Sequence, residues 1–228
     1  MRLHRFIGDF NLNSTELIVS DSEFINQWRN VLRLKTGDTL ILCDGKGKEA
    51  EAIIEDMTKN EIILSVKDIN TPDTDPQKKS TLYCAVLKRE NFELVVQKAT
   101  EIGIYAIVPL LTERTVKTGF NRERLEKIVR EASEQSGRTV LPTLSDPMTF
   151  TEAIASVNGN ESALFDLSGS KTFDFQLSTC NFFIGPEGGF SEKEVALAKD
   201  KGCTIASLGS LTFRGETAAI VASYLAVQ

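Results

Sequence analysis

FFIGPEGGFSEKEVALAKDKG, residues 182–202, is the stretch that decides the fold of this chain. An apolar strand enters a loop in which three glycines and a proline fall within the five residues Gly185 to Gly189. A helix leaves that loop behind Ser191 and Glu194, spaced as a capping box, and ends at Gly202. Glycine lacks Cβ and tolerates positive φ, so such a backbone can lie directly against a ligand. Strand, glycine-rich loop and helix are the usual setting for a nucleotide-like cofactor in an α/β domain. A tight structural turn is the competing reading of the same composition.

A second loop repeats the arrangement about twenty residues later, with the strand TIASL (204–208), the loop GSLTFRG (209–215) and the terminal helix ETAAIVASYLAVQ (216–228). That helix is apolar around most of its circumference and must be covered by the domain or by another subunit. Arg214 stands just before it as the only arginine after Arg138; it either pairs with Glu216 or serves a ligand.

The missing motifs narrow the ligand. Neither GxGxxG nor GxxxxGK[ST] occurs, and Glu187 puts a carboxylate where a pyrophosphate would sit. A cofactor without phosphate, or one carrying positive charge such as the sulfonium and amine of S-adenosylmethionine, fits better. The single histidine, His4, excludes HExxH zinc hydrolysis, and no GxSxG nucleophile elbow is present. Cys43, Cys84, Cys180 and Cys203 are far apart with no CxxC pair and read as buried, reduced thiols, so no metal is expected.

Working outward, the segment before the first loop is α/β in pattern. TLYCAVL (81–87) reads as a buried strand, and NFELVVQKATEI (91–102) as a helix with Phe92, Val95, Val96, Ala99 and Ile102 inward, closed by Gly103. YAIVPLL (105–111) returns as a strand, and a second helix runs from Asn121 to Gly137. Further strands are expected at 163–167, 181–185 and 204–208. Residues 38–69 instead alternate apolar and polar positions around DGKG (44–47), the mark of half-buried strands in a small barrel. TPDTDPQKKS (71–80) contains two prolines, two aspartates and no large apolar residue, and reads as a linker. The expected domains are therefore 1–70, a β-barrel, and 81–228, an α/β domain.

The chain has 228 residues, 41% hydrophobic and 25% charged, which suits one large domain or two smaller ones. No apolar run approaches the roughly 20 residues of a membrane span, and the start lacks a secretory signal, so a cytoplasmic location is expected. A formal charge of −6 gives no global attraction for nucleic acid. Residues 88–138, with ten bases and eight acids, are the segment that leans positive. The candidate RNA contacts are Arg2, Arg5, Arg29 and Arg33 in the first domain and Lys88, Arg89, Arg114 and Arg138 in the second.

IGPEGGF (184–190) followed by LGSLTFRGETA (208–218) resembles the paired cofactor loops of the RsmE-type methyltransferases, which methylate N(3) of a uridine in small-subunit (16S) ribosomal RNA. The resemblance extends through VLRLKTGD (31–38), DGKG (44–47), QKATEIG (97–103) and EASEQSGR (131–138), in the same order and spacing. It implies an N-terminal PUA-like β-barrel and a C-terminal SPOUT-type α/β domain with a trefoil knot, a connectivity that periodicity does not reveal. It also implies S-adenosylmethionine as cofactor and a homodimer built through the C-terminal domain. Carried onto this chain, Leu164, Ile184, Gly185, Pro186, Glu187, Gly188 and Gly189 would form one cofactor wall. Leu208, Gly209, Leu211, Phe213 and Thr217 would form the other, with Arg214 and Glu216 as the catalytic pair. Two positions depart from the family pattern. Gly215 replaces a small, usually hydroxyl-bearing residue, and Phe24, Gln27 and Trp28 occupy the region before VLRLKTGD where a histidine is common.

Methyl transfer to a uracil imide nitrogen requires that nitrogen to lose its proton, in a site that aligns the partners and stabilises negative charge on the ring. The guanidinium of Arg214 suits the second task. Glu216 and Glu187 are the carboxylates available as proton acceptor, with a purely orienting role as the alternative for either. Two other classes compete: a PUA-like and α/β module that binds RNA without modifying it, and an unrelated α/β enzyme holding a different nucleotide.

Overall fold

The structure is a computed structural model that describes residues 3–116, 120–169 and 179–228, with the side chain of residue 160 also outside the description. It divides into two units, Met1–Asp75 with Ser133–Leu141, and Pro76–Ala132 with Pro142–Gln228.

The first unit contains a five-stranded sheet made of β1 (Arg5–Ile7), β2 (Glu16–Val19), β3 (Thr39–Cys43), β4 (Glu49–Met57) and β5 (Ile62–Asn70), in the order β1-β3-β4-β5-β2. β1 runs parallel to β3 and the other pairings are antiparallel. The alternation in the sequence becomes a one-sided core: Leu40, Leu42, Ala50, Ala52, Ile54, Ile62 and Leu64 are all buried, with Phe6 and Trp28 against them. Two register shifts between β4 and β5 interrupt the ladder, after Ala50 and after Ile54, and such bulges bend a sheet. β1, β2 and α1 (Ser22–Asn26) were not among the expected elements. The Asp21 side chain caps α1 by accepting from the Glu23 and Phe24 N–H groups, and α1 runs into a π-helical turn, Gln27–Val31. Trp28, on that turn, is fully buried beside Phe6 and Phe24.

Ser133–Leu141, expected within the second domain, belongs to this unit, to which several hydrogen bonds tie it. Asp75 accepts from Arg138 Nε at 2.7 Å, from the Thr139 and Val140 N–H groups at 3.1 Å each, and from Thr139 Oγ1 at 3.2 Å. The Gly47 N–H donates to the Thr139 carbonyl, and Lys46 and Val140 form an isolated antiparallel bridge. Sequence periodicity carries no trace of such a long-range tie.

The second unit is built on a parallel sheet of β6 (Thr81–Ala85), β7 (Ala106–Leu111), β8 (Thr143–Leu144), β9 (Met148–Thr149), β10 (Ser162–Phe165), β11 (Asn181–Ile184) and β12 (Thr204–Ala206). The order is β12-β10-β11-β6-β7-β8, with β9 also paired to β7. Parallel strands covered on both faces read as continuous apolar runs, which is why TLYCAVL and NFFIG showed no alternation. Helices α2 (Arg89–Ile102), α3 (Arg122–Ser136), α4 (Phe150–Ser156), α5 (Glu192–Asp200) and α6 (Gly215–Val227) complete the chain. α2 ends at Gly103, whose φ of 107° lies in the left-handed region; a Cβ there would come within 2.3 Å of Pro76 Cγ. α6 packs on α2 through small residues, Ala219, Ala222, Ser223 and Ala226, while Tyr224 and Leu225 stay 55% and 39% exposed. Ser80 Oγ donates to the Ala226 carbonyl and so caps the end of α6. β8, β9 and α4 were not anticipated. The segment joining β10 to β11, which a knotted chain end would have to thread, includes residues outside the described set.

Candidate active site

The parallel arrangement brings the carboxyl ends of β6, β7, β10, β11 and β12 to one edge of the sheet, where α/β domains bind their ligands. A cavity of about 860 Å³ opens there. Its walls are the ends of three successive loops: Phe165–Ser168 after β10, Ile184–Phe190 after β11, and Ser207–Leu208 with Thr212–Glu216 after β12. Lys88, Asn91, Arg114 and Ala218 complete it.

The glycine-rich loop is held by a turn in which the Gly189 N–H donates to the Pro186 carbonyl at 2.8 Å. Gly189 has φ of 69°, which a glycine adopts without strain. Gly185 is required by a close approach, since a Cβ there would meet the Phe190 ring at 3.1 Å. Phe190 is buried, its ring centroid 5.3 Å from that of Phe150, and it also forms part of the cavity wall. The capping box expected at Ser191 is present: Ser191 Oγ accepts from the Glu194 N–H, and Glu194 Oε2 accepts from the Ser191 N–H at 2.8 Å. The other oxygen of Glu194 accepts from the Glu113 N–H at 2.9 Å.

Three carboxylates, Asp166, Glu187 and Glu216, share the lining with three cations, Lys88, Arg114 and Arg214. Asp166 Oδ1 accepts from the N–H and hydroxyl of Ser168 and so shapes its own loop. Glu187 Oε1 lies 3.4 Å from the Lys88 N–H. Arg114 Nη1 donates to the Gly188 carbonyl at 2.6 Å. Glu216 Oε2 is buried and, among the described residues, has no hydrogen-bond partner. An unmatched buried carboxylate oxygen in a cavity wall is a place for a cationic or hydrogen-bond-donating ligand group. The Cys84 thiol, fully buried at the end of β6, is pushed up by desolvation and by the Glu187 charge, so it stays protonated.

Comparison with known proteins agrees with this geometry. The pattern described as the RNA methyltransferase domain matches residues 74–227, and that of the RNA methyltransferase PUA domain matches residues 29–67. The ribosomal RNA small subunit methyltransferase E of Rickettsia conorii is 32% identical over 229 residues, covering 95% of this chain and 91% of that protein. This chain belongs to the RsmE family of RNA methyltransferases. A putative methyltransferase of Legionella pneumophila, solved with bound S-adenosylmethionine, aligns with a TM-score of 0.90 at 29% identity, covering 99% of this chain and 97% of that one. The Neisseria gonorrhoeae RsmE, also bound to S-adenosylmethionine, aligns at 0.89 and 28% identity, covering 97% and 95%. The RsmE architecture of a PUA-like domain followed by a SPOUT-type α/β domain is thus the fold of this protein.

Set against the RsmE-derived site, Ile184, Gly185, Pro186, Glu187, Gly188, Gly189, Leu208, Phe213, Arg214 and Glu216 line the cavity. Four expected residues do not. Leu164 is fully buried inside β10, Gly209 and Leu211 sit on the exposed outer part of their loop, and Thr217 is exposed on the first turn of α6. The Phe165–Ser168 wall was not among the expected site residues, although the end of the apolar run ALFDL signals it: a parallel strand delivers its next residues to the ligand edge. The departure at Gly215 has a local cause, because a Cβ there would lie 3.0 Å from Cδ2 of the fully buried Leu87.

The basic residues divide sharply. Arg138 is 6% exposed and committed to Asp75, so its guanidinium is structural and the expected RNA contact is withdrawn. Arg5 pairs with Glu49 and touches Cys43 Sγ at 3.1 Å. Arg89 and Arg124 share Glu93. Arg29 reaches the Lys59 carbonyl at 3.5 Å, and Arg33 is exposed with φ of 58°, the one non-glycine residue in the left-handed region among the described residues. Arg2 lies outside the described residues. Among those residues no group of three or more His, Cys, Asp or Glu is arranged to hold a metal ion, and no helix is long and apolar enough to cross a membrane.

Proposed function

We propose that the cavity at the carboxyl edge of the parallel sheet binds S-adenosylmethionine and that the protein uses it to methylate N(3) of a uridine in 16S ribosomal RNA. The observation that carries this reading is the buried Glu216 Oε2, unmatched among the described residues, in a cavity that the glycine-rich turn Gly185 to Gly189 also lines. The fit is chemical as well as spatial. A volume of about 860 Å³ lies within the range of cofactor pockets, and a lining of three carboxylates and three cations can meet both the cationic groups and the carboxylate of S-adenosylmethionine. S-adenosylmethionine supplies an electrophilic methyl group on a sulfonium.

This chain's residues have the remaining tasks. Gly185 to Gly189 and Leu208 present backbone to the donor, and Phe165 to Ser168 close the third side. Arg214, exposed at the N-terminal end of α6 and on the cavity wall, offers a permanent charge and two donors to a uracil carbonyl as the ring nitrogen loses its proton. Glu216 and Glu187 are the carboxylates on the lining that can hold a proton or orient the donor. In the first unit the half-buried Arg29 and the exposed Arg33 are suited to RNA phosphates, and the exposed Lys88 serves in the second. A homodimer formed through the C-terminal unit would cover Tyr224 and Leu225 on the outer face of α6. The reaction belongs in the cytoplasm, where the small ribosomal subunit is assembled.

The test is transfer of a labelled methyl group from S-adenosylmethionine to 16S ribosomal RNA or small subunits, with mass-spectrometric mapping of the product nucleoside. Recovery of N(3)-methyluridine supports the assignment. RNA binding without label transfer identifies a binding module instead.

A further inference from the structure

We infer that Arg114 is a positioning residue for the methyl-donor wall rather than a contact for RNA. The inference rests on the cofactor reading above and adds a residue to it. Arg114 lies in the turn that leaves β7, and this turn is tied to the glycine-rich loop at two adjacent residues. Arg114 Nη1 donates to the Gly188 carbonyl at 2.6 Å, and the stem of the same side chain lies over Gly188, so a Cβ built there would be 3.4 Å from Arg114 Cδ. One residue earlier, the Glu113 N–H donates to Glu194 Oε1, while Glu194 Oε2 holds the Ser191 N–H that starts α5. One buried carboxylate therefore joins the β7 turn to the far end of the loop, and the arginine grips its middle.

The turn itself is braced. The Thr115 N–H donates to the Thr112 carbonyl, the Thr112 N–H donates to Thr115 Oγ1, and the two hydroxyls lie 2.8 Å apart. The glycine loop needs such a brace because the property that lets it approach a ligand, the absence of side chains, also leaves it conformationally free. Its internal restraint is the turn from Gly189 N–H to the Pro186 carbonyl. The Gly188 carbonyl projects outside that turn and is fixed by Arg114. Holding the loop in its binding conformation before the donor arrives removes an ordering cost from binding. The consequence falls on donor affinity, with the chemical step at saturating donor left largely as it was.

The experiment compares wild type, Arg114→Met, which keeps the stem and loses the donors, and Arg114→Lys, which keeps one positive donor group. Calorimetric titration with S-adenosylmethionine, titration with 16S ribosomal RNA at several salt concentrations, and single-turnover rates are measured on each. Arg114→Met should raise the donor Kd at least about tenfold, with Arg114→Lys intermediate. RNA affinity and its salt slope should be unchanged, and the rate at saturating donor should change less than threefold. An unchanged donor Kd overturns the inference. So does a weakened RNA affinity with the salt slope reduced by about one, the signature of a lost phosphate contact. If wild type itself fails to bind S-adenosylmethionine, the functional reading falls first, and this inference with it.

Discussion

Replacing Glu216 by glutamine tests the site from two directions at once. Oε2 of Glu216 is buried and unmatched, and an unpaired charged group costs a protein more to bury than a neutral amide of the same shape. The glutamine side chain can leave its carbonyl at the buried position and turn its NH2 group outward. Without ligand, the variant should therefore be more stable, by about 1 kcal/mol, the low end of the penalty for an unsatisfied buried group. For a chain of this length that is a rise in Tm of about 2–4 °C. With ligand the sign reverses. The carboxylate is the group that a cationic donor would satisfy, and a hydrogen bond to a charged partner contributes about 1.5–3 kcal/mol. At about 1.4 kcal/mol per decade this loss weakens S-adenosylmethionine binding by about 10- to 150-fold. The assay is differential scanning calorimetry of the ligand-free protein beside isothermal titration with S-adenosylmethionine. A variant that melts lower and binds the donor as before would refute the reasoning, because Oε2 would then serve the fold and not the ligand.

Three further outcomes follow from the same geometry. Arg214→Ala should leave the donor Kd within twofold while single-turnover methylation slows at least about tenfold, a barrier increase of roughly 1.4 kcal/mol; an unchanged rate removes Arg214 from the chemistry. Gly215→Ser should destabilise the protein by about 1–3 kcal/mol, because its Cβ is forced to 3.0 Å from Leu87 Cδ2. Leu87→Val should relieve the strain, so additive effects in a denaturation double-mutant cycle would show that the two positions do not interact. Burial raises all four thiols, Cys43 to about 11 and Cys180 to about 12. Thiols in the unfolded chain ionise near pH 8.5. Between that value and the folded ones, the unfolded state has lost protons that the folded state keeps, so stability should fall as pH rises from about 9 toward 11 and be independent of these groups below pH 8. Denaturant midpoints across that range, together with maleimide labelling at pH 8 that proceeds no faster than unfolding, are the checks; rapid labelling of the native protein would contradict the burial.

The elements legible in the sequence were those whose signal is local. The capping box at Ser191 and Glu194, the helix stop at Gly103, and the apolar face of α2 at Phe92, Val95, Val96 and Ala99 each depend on residues within one or two turns of one another, and each formed as read. The loop from Gly185 to Gly189 was legible for the same reason, since its composition dictates what its backbone can do. Short elements such as β1, β8 and α4 gave no period long enough to register, and β1 and β8 are defined by their pairing with β3 and β7.

Charge was the least legible property. Arg138, Arg89, Arg114 and Arg33 are equivalent as letters, yet one is buried against Asp75, one pairs with Glu93, one grips a carbonyl of the glycine loop and one stands in solvent. The Arg89–Glu93 pair follows from i,i+4 helix spacing, but the partners of Arg138 and Arg114 lie 63 and 74 positions away, and no local pattern encodes them.

By itself the sequence determined that an α/β unit follows a smaller β unit, and that a glycine-rich loop near the carboxyl end has a backbone free to approach either a ligand or its own fold closely. Backbone freedom and apolar periodicity are properties of neighbouring residues. Tertiary structure alone decided that the Phe165–Ser168 segment forms the third wall, that residues 133–141 return to the first unit, and that Glu216 keeps an oxygen without a partner. Each of these depends on which strands lie side by side and on what surrounds a buried atom, relations that exist only once distant parts of the chain have been brought together.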